Sequence, residues 1–384
     1  VVFAKLREKE ELTSLNMPKL ALFFTYGVSL KTWDNLGIFS REIKPYIELT
    51  KDIFDEIYFF TYGDEKDQAY QKFLPENLKI YPKKVKIPTL IYSFFLPLFY
   101  FNKLNEVDIL KTNQLKGSWT ALITKFLTNK KLIVRCGYEW LKIMKNEEKP
   151  FWKCQIAFFL EKLAYKNADK IIVTSFGDKK FIEKKFKISP SKIEIIPNYI
   201  DTNLFRPINT LEKEKNRICF VGRLSPEKNL FNLIKAVSGL NAKLIIFGSG
   251  PLKSDLEKLA NKFNSQVEFR GSIPNTQLPE ELNKSELFIL PSLYEGNPKA
   301  ILEAMACGLP CIGTNVQGIK EIIKHKENGY LCEIDVDSIR NAILELMNNK
   351  ILMEKIAKNA RKTILENFSL KKILKKERQI YQQL

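Results

Sequence analysis

The sequence predicts an α/β chain of two doubly wound domains built on parallel sheets. Three observations predict it. Short apolar runs of strand length alternate with helical patterns through most of the chain, the order that produces parallel strands joined by crossover helices. Two of these runs, RICFVGRLSPEKN and KLIIFGSGPLKSDLEKLA, end in glycine loops that open helices, as strand-to-helix turns of such sheets do. The 384 residues suffice for two domains of ordinary size, each with its own core.

Residues 1–16 are interrupted by LREKEE and hold no apolar stretch of secretory length, so they read as an upstream extension outside the fold, with Met17 as the natural start. Residues 20–25 form a first strand that closes on Tyr26 and Gly27. A glycine there lets the backbone approach a ligand phosphate, which makes Gly27 a binding candidate. A helix over 35–48 follows, then strands at 57–60, 107–110, 131–135, 170–174 and 193–196 with helices between them. Residues 87–101, IPTLIYSFFLPLFYF, are the most apolar and aromatic stretch and follow Lys83, Lys84 and Lys86. That run is shorter than the roughly 20 residues a bilayer span needs and holds two prolines, leaving a buried helix or an interfacial segment. Residues 151–167 carry an amphipathic helical pattern, and the charged string LEKEKN at 211–216 reads as an interdomain linker.

The second half is more regular. Ser225 is expected to cap a helix with Pro226 in its first turn, and strands follow at 267–269, 287–290, 310–313 and 330–332. Residues 288–312, FILPSLYEGNPKAILEAMACGLPCI, form a strand-loop-helix-strand unit. Asn297 is expected as N-cap with Pro298 at the first helical position, and Gly308 with Pro310 ends the helix near Cys307. The unit carries two carboxylates, Glu295 in the loop and Glu303 on the helix. Glu295 therefore lies beyond the carboxyl end of a strand, where ligands of parallel sheets bind.

Composition bounds the partners. Lys and Arg number 62 against 44 Asp and Glu, a formal charge of +18, which favours an anionic partner such as nucleic acid, an acidic membrane surface or a phosphorylated substrate. The lysines are scattered, so compositional bias accounts for the charge equally well. None of the six cysteines forms a CxxC pair, and most sit in apolar strand-like runs, as buried thiols of a reducing cytoplasm would.

The string EGNPKAILE, with GRLSPEKN at 222–229, GSGP at 248–251 and KIEIIPNYID at 192–201, resembles the signatures of the retaining GT-B-fold glycosyltransferases of family four, or group 1. The resemblance implies two Rossmann-like doubly wound domains facing across a cleft. Residues 17–208 would bind the acceptor and 209–368 the nucleotide sugar, while 369–384 would cross back as a helix. It also implies a role for each matched residue. Arg223 and Lys228 would hold the donor diphosphate, Glu303 the ribose hydroxyls, and Glu295 would face the donor hexose. Arg223, Lys228 and Glu295 are thus the catalytic candidates. Gly222, Gly248 and Gly296 would complete the donor loops, the amides of Asn297, Lys299 and Ala300 would meet sugar hydroxyls, and Gly271, Ser272 and Ile273 the base. Fixed cations suit this chemistry, because the leaving nucleoside diphosphate gains charge as the glycosidic bond breaks.

Partners implied are a UDP- or GDP-linked sugar and a glycan or lipid-linked acceptor, with a peripheral contact to an anionic membrane suggested by Lys83, Lys84, Lys86 and the aromatic run. No nucleic acid, cofactor or metal is expected; Asp335 and Asp337 match DxD in letters, but Asp337 reads better as a helix N-cap. Three departures from the family pattern stand out. Pro298 has no N–H to offer, and Tyr199 replaces a usual glycine. The usual acceptor-side histidine is missing, since the lone His325 sits in a surface-like segment. Arg135, Tyr138 and Glu139 occupy that neighbourhood and are the acceptor-side candidates.

Rival readings fare less well. A glycosidase also uses paired carboxylates, yet eight helical residues would separate them by about 12 Å, beyond the roughly 5 to 9.5 Å that reaction needs. A nucleotide-sugar epimerase shares the architecture and stays open. A NAD-dependent oxidoreductase lacks its G-x-G-x-x-G, and a nucleic-acid-binding protein rests on charge alone.

Overall fold

The computed structural model describes residues 17–384 apart from Glu139 and Glu147; the extension read at 1–16 lies outside the described residues. In the first half, strands β1 (Leu20–Phe23), β2 (Ile57–Phe60), β3 (Leu78–Tyr81), β4 (Ile109–Thr112), β5 (Lys131–Cys136), β6 (Lys170–Val173) and β7 (Ile193–Ile195) form one sheet. Its order is β3-β2-β1-β4-β5-β6-β7. Every pairing is parallel. The helices are α1 (Leu30–Asn35), α2 (Phe39–Leu49), α3 (Thr89–Phe99), α4 (Phe101–Asn105), α5 (Ser118–Thr128), α6 (Trp140–Asn146), α7 (Phe151–Asn167) and α8 (Phe176–Phe186).

The second sheet holds β8 (Arg217–Val221), β9 (Lys243–Phe247), β10 (Val267–Gly271), β11 (Leu287–Leu290), β12 (Cys311–Thr314) and β13 (Tyr330–Cys332). Its order is β10-β9-β8-β11-β12-β13, again all parallel. Its helices are α9 (Leu230–Val237), α10 (Lys253–Lys262), α11 (Leu278–Asn283), α12 (Lys299–Ala306), α13 (Gln317–Lys320), α14 (Val336–Asn348) and α15 (Lys350–Asn367). Each sheet reverses its strand order at the first strand of its half. Each therefore has a crevice at its carboxyl edge, the position at which ligands of open α/β sheets bind.

Two cores correspond to the two sheets, and the last helix, α16 (Leu370–Tyr381), leaves the second half to bury Ile373, Leu374, Ile380 and Tyr381 in the first core. Lys111 of β4 fixes it there. Its ammonium is 2.5 Å from the Glu377 carboxylate and 2.7 Å from the Tyr381 hydroxyl, and Lys111 is 2% exposed. Burial lowers the Lys111 pKa while Glu377 works against the fall.

Several elements differ from the sequence reading for identifiable reasons. β4 runs two residues later than expected because Lys111, which looks like a strand terminator, is buried within it. β3 is an edge strand whose side chains alternate between buried and half-buried, and it is too short and polar to stand out between Pro75 and Pro82. The helix expected over 35–48 divides into α1 and α2 at Gly37, which takes a φ of +67°. α1 starts earlier because Ser29 and Thr32 form a capping box.

The layers follow from connection handedness. From β3 onward the chain steps in one direction, β3-β4-β5-β6-β7, through α3, α5, α7 and α8. Right-handed crossovers put those helices on one face of the sheet, with α2 and α16 on the other.

Candidate functional site

The carboxyl ends of the two sheets meet. A side chain added at Gly296, in the loop after β11, would sit 3.4 Å from the Gly137 carbonyl after β5, and one at Gly177, at the start of α8, would fall 2.8 Å from the Gln317 side chain. The glycine loops of the second half pack on each other. A Cβ on Gly248, where φ is +143°, would fall 1.9 Å from the Gly222 carbonyl, and one on Gly250 would fall 2.4 Å from that of Leu224. Their glycines thus serve backbone-to-backbone packing first, which brings Gly222 and Arg223 beside Gly248. Gly318, absent from the sequence reading, does the same under the Glu295 loop, where a Cβ would meet the Gly296 carbonyl at 2.1 Å.

These loops wall a cavity of 420 Å³ between the domains. Gly222, Arg223, Gly248, Ser272, Ile273, Ala300 and Glu303, all named from the sequence, line it. Gly271 adjoins it, its carbonyl accepting from Gly248 N at 2.7 Å. Arg223 is exposed and makes no ion pair among the described residues, so it offers a free cation to the cavity. Ala300 and Lys299 stand in the first turn of α12, whose leading amides have no acceptor within the helix.

Lys228 and Glu295 are not among the residues that line the cavity; they pair with each other at 2.5 Å, with Ser292 Oγ donating to the same carboxylate oxygen at 2.7 Å. Glu303 is 2% exposed. Its Oε1 accepts from Asn275 Nδ2 at 3.0 Å and from Arg41 Nη1 at 3.4 Å. Its Oε2 makes no hydrogen bond among the described residues. One oxygen of a buried carboxylate is thus anchored while the other remains available.

Arg41 belongs to the first half of the chain, and it is one of several contacts that cross the cleft. Lys299 Nζ lies 2.6 Å from Glu42 Oε1, and Asn275 N donates to the Gly37 carbonyl at 3.2 Å. Burial disfavours the Glu42 charge, yet Lys299 and Arg41 outweigh it and hold that carboxyl down at about 2. Lys299 falls to about 8, because burial and repulsion by Arg41 exceed the attraction of its single carboxylate. Burial likewise opposes the Arg41 charge, but Glu42 and Glu303 raise its pKa. On the other flank, Glu321 accepts from the amides of Phe176 and Gly177 at 2.7 and 2.9 Å, capping α8 from the opposite domain.

Asn297 corrects the sequence reading. Its Oδ1 accepts from Asn198 N at 2.8 Å and its carbonyl from Asn198 Nδ2 at 2.6 Å, so it ties the domains together and Pro298 takes the cap position of α12 instead. Ser225 does hold the N-cap position of a short 3-10 turn, Pro226–Lys228, with Pro226 in its first turn, but its hydroxyl turns to Glu227 and not to a backbone amide. The cap of α14 is Asp335, which accepts from Ser338 N, in place of Asp337. Tyr199, where a glycine was usual, reaches the Arg41 carbonyl with its hydroxyl and lies under Lys299 at 5.6 Å.

Arg135 sits at the end of β5 and donates to Asn198 Oδ1 at 3.2 Å, facing the cleft from the first domain. Tyr138 is exposed in the following loop, and Glu139 lies outside the described residues. Gly27, at the end of β1 with φ +77° and open space at its Cα, does not line the cavity. His325 is exposed. All six cysteines are buried. Among the described residues no group of three His, Cys, Asp or Glu side chains is placed to hold a metal. Arg41, Glu42 and Asn275 were missed because no motif marks them; Arg41 and Glu42 lie in an ordinary amphipathic helix, α2.

Comparison with known proteins agrees with this architecture. Residues 201–363 match the family model for glycosyl transferases group 1, and residues 55–204 that for glycosyltransferase family 4. The chain is 30% identical over 317 residues to an Escherichia coli UDP-Gal:alpha-D-GlcNAc-diphosphoundecaprenol alpha-1,3-galactosyltransferase, covering 74% of this chain and 78% of that protein. It is 30% identical to a Campylobacter jejuni N-acetylgalactosamine-N,N'-diacetylbacillosaminyl-diphospho-undecaprenol 4-alpha-N-acetylgalactosaminyltransferase, over 67% of this chain and 72% of that one. Among solved structures, Anabaena HepE in complex with UDP superposes with a TM-score of 0.77 at 17% identity, over 95% of this chain and all of that one. Sucrose-phosphate synthase from Thermosynechococcus elongatus gives 0.76 at 21%, over 95% and 98%. Two parallel-sheet domains of the GT-B kind, with sequence likeness along most of a curated relative, place the chain in the group 1, family-four-like glycosyltransferases.

Proposed function

We propose that the protein transfers a hexose-type sugar, with retention of anomeric configuration, from a nucleoside-diphosphate donor to a glycan or lipid-linked acceptor in surface polysaccharide or glycolipid synthesis. The observation that carries this reading is the convergence of Arg223, Ala300 and Glu303, whose Oε1 alone is held by Asn275 and Arg41, on one interdomain cavity. In that arrangement Glu303 Oε2 receives the ribose hydroxyls, since a carboxylate accepts two bonds from a diol. Arg223 and Lys228 hold the diphosphate, and the charge gained by the leaving group strengthens both contacts in the transition state. Lys228 in turn orients Glu295 toward the hexose.

The acceptor enters from the first domain, past Arg135 and Tyr138. No side-chain base is required there, because in a retaining transfer of this type the donor phosphate takes the acceptor proton. Lipid-linked acceptors are supported by the names of the two bacterial relatives, and a uridine donor by the UDP in the HepE complex. Such an acceptor places the enzyme at the cytoplasmic face of the plasma membrane, in peripheral contact with anionic lipid.

A thermal-shift series with nucleoside diphosphates and their sugars tests the donor reading, since a ligand at about 100 times its Kd adds roughly 2.7 kcal/mol to stability. Stabilisation by UDP or GDP and their sugars is expected. No stabilisation by any nucleoside diphosphate would remove the proposal. Proton NMR of the product then reports its anomeric configuration.

A further inference from the structure

The helix layer formed by α3, α5, α7 and α8 has an outward surface that resembles a protein interior. On α3 the positions Leu90, Ile91, Phe94, Phe95, Leu98 and Phe99 are all exposed, between 47% and 55%. Tyr92, Ser93, Leu96 and Pro97 supply its buried face. The next helix, α5, packs on α3 and presents Phe126 and Leu127; α7 packs on α5 and presents Trp152, Ile156 and Phe159. An apolar surface spread over three neighbouring helices far exceeds the scattered exposed residues of ordinary monomers, and it marks a contact with something apolar.

The charges on these helices identify the partner. α3 carries no charged residue, α5 only Lys125, and α7 carries Lys153, Lys162 and Lys166. Glu161, the sole carboxylate on the three, is buried among apolar groups, and burial lifts its pKa to about 7. Lys83, Lys84 and Lys86 precede α3, and Lys130 and Lys131 follow α5. A second copy of this face would set lysine against lysine, so self-association is opposed by like charge. An anionic bilayer satisfies both features, taking the aromatic side chains into its headgroup and acyl boundary while the lysines reach its phosphates.

We propose that the α3-α5-α7 surface is a monotopic docking face for an anionic lipid bilayer. The inference rests on the reading of the acceptor as lipid-linked. No helix among the described residues is long and apolar enough to cross a membrane, so the contact is in the plane. Crossover helices start at the carboxyl end of the preceding strand, which puts Trp152 in the first turn of α7 on the cleft side of the layer. The face therefore holds the mouth of the cleft at the edge of the bilayer, where the head of a lipid-linked acceptor is presented.

The test is co-sedimentation of the full chain with vesicles of phosphatidylglycerol and phosphatidylethanolamine, and with pure phosphatidylcholine, from about 0.05 to 1 M salt, over which the Debye length falls to about 3 Å. The parent is expected to bind the anionic vesicles and to retain part of that binding in high salt through its apolar side chains. Changing Phe95, Trp152 and Phe159 together to Ser should lower partitioning at least tenfold at every salt concentration. Changing Lys83, Lys84 and Lys86 to Gln should lower it chiefly at low salt. Nucleoside diphosphate affinity, measured on the same variants, should stay within twofold, which separates failure of this surface from failure of the donor reading. The proposal is overturned if the parent ignores anionic vesicles at low salt. It is equally overturned if the Ser variant binds as the parent does, or if light scattering shows a dimer that the Ser changes dissolve.

Discussion

Glu303→Gln separates the two demands made on that side chain. The substitution keeps volume and one acceptor but removes the charge and turns an N–H₂ toward one ribose hydroxyl. Glu303 is buried, Asn275 and Arg41 hold only its Oε1, and the diol would use what remains. Hydrogen bonds to a charged group contribute about 1.5 to 3 kcal/mol each. Losing two of them, with one bond surviving in neutral form at about 0.5 to 1.5 kcal/mol, should cost about 1.5 to 5.5 kcal/mol, or at least roughly 10-fold in UDP affinity. Isothermal titration of UDP into parent and variant measures this directly. Arg41→Gln is the necessary companion. If Arg41 only positions Glu303, its loss should weaken UDP by less than about fivefold, with a coupling of order 1 kcal/mol in the double-mutant cycle. A Glu303→Gln protein that binds UDP within threefold of the parent refutes the assignment, as does an Arg41→Gln loss equal to that of Glu303→Gln.

Three further outcomes are expected. Lys228→Ala should reduce both nucleoside diphosphate affinity and turnover at least tenfold with the fold intact by circular dichroism; unchanged binding would remove Lys228 from the diphosphate site. The raised pKa of Glu161, about 7 against an ordinary 4.5, means the folded state binds its proton more tightly than the unfolded chain. That stability is complete below about pH 4.5 and is lost as pH rises through about 7, a total of about 3 kcal/mol. Glu161→Gln should therefore gain on the parent in thermal stability between pH 5 and pH 8, and a pH-independent difference would contradict the burial argument. Lys111→Met should cost about 3 to 5 kcal/mol in denaturant titrations by stranding the Glu377 charge, whereas Lys111→Met with Glu377→Leu should recover most of it. No recovery would show that the pair does more than neutralise itself.

The sequence was legible where local chemistry decided the structure. The Gly222 and Gly248 loops, the Gly308 stop and the strands of the second half need only short-range rules, and all occur where the residues put them. Legibility failed where a distant partner overrode a local preference. Lys111 reads as a strand end until Glu377, far along the chain, receives its charge. Asn297 is a good N-cap by composition, but Asn198 in the other domain claims its side chain. The same reason hides Arg41 and Asn275, which become site residues only when the domains meet. The apolar face was half visible: residues 87–101 stood out by composition. The contribution of α7 did not, because an amphipathic pattern reports which face is apolar and not whether that face is the buried one.

The cross-domain contacts also set what donor binding has to do. Lys299–Glu42, Arg41–Glu303, Asn297–Asn198 and the Glu321 cap close the cleft through polar groups, and among the described residues the apolar cores of the two sheets are separate. These ion pairs are largely buried, with side chains 3 to 21% exposed, so the cost of desolvation offsets most of their Coulombic attraction, and each must be made at the cost of ordering long side chains. Their sum is comparable with the roughly 2.7 kcal/mol that a ligand at 100 times its Kd supplies. On the proposed donor reading, a nucleotide that touches Arg223 and Glu303 in one domain, while Arg41 bonds the same carboxylate from the other, is therefore large enough, energetically, to decide the position of the cleft. Had the domains shared a large apolar interface, the same ligand would fill the site without moving anything. Polar closure would tie donor occupancy to the meeting of the two halves, by setting signature residues such as Lys299 and Glu303 against Arg41 and Glu42, which no motif contains.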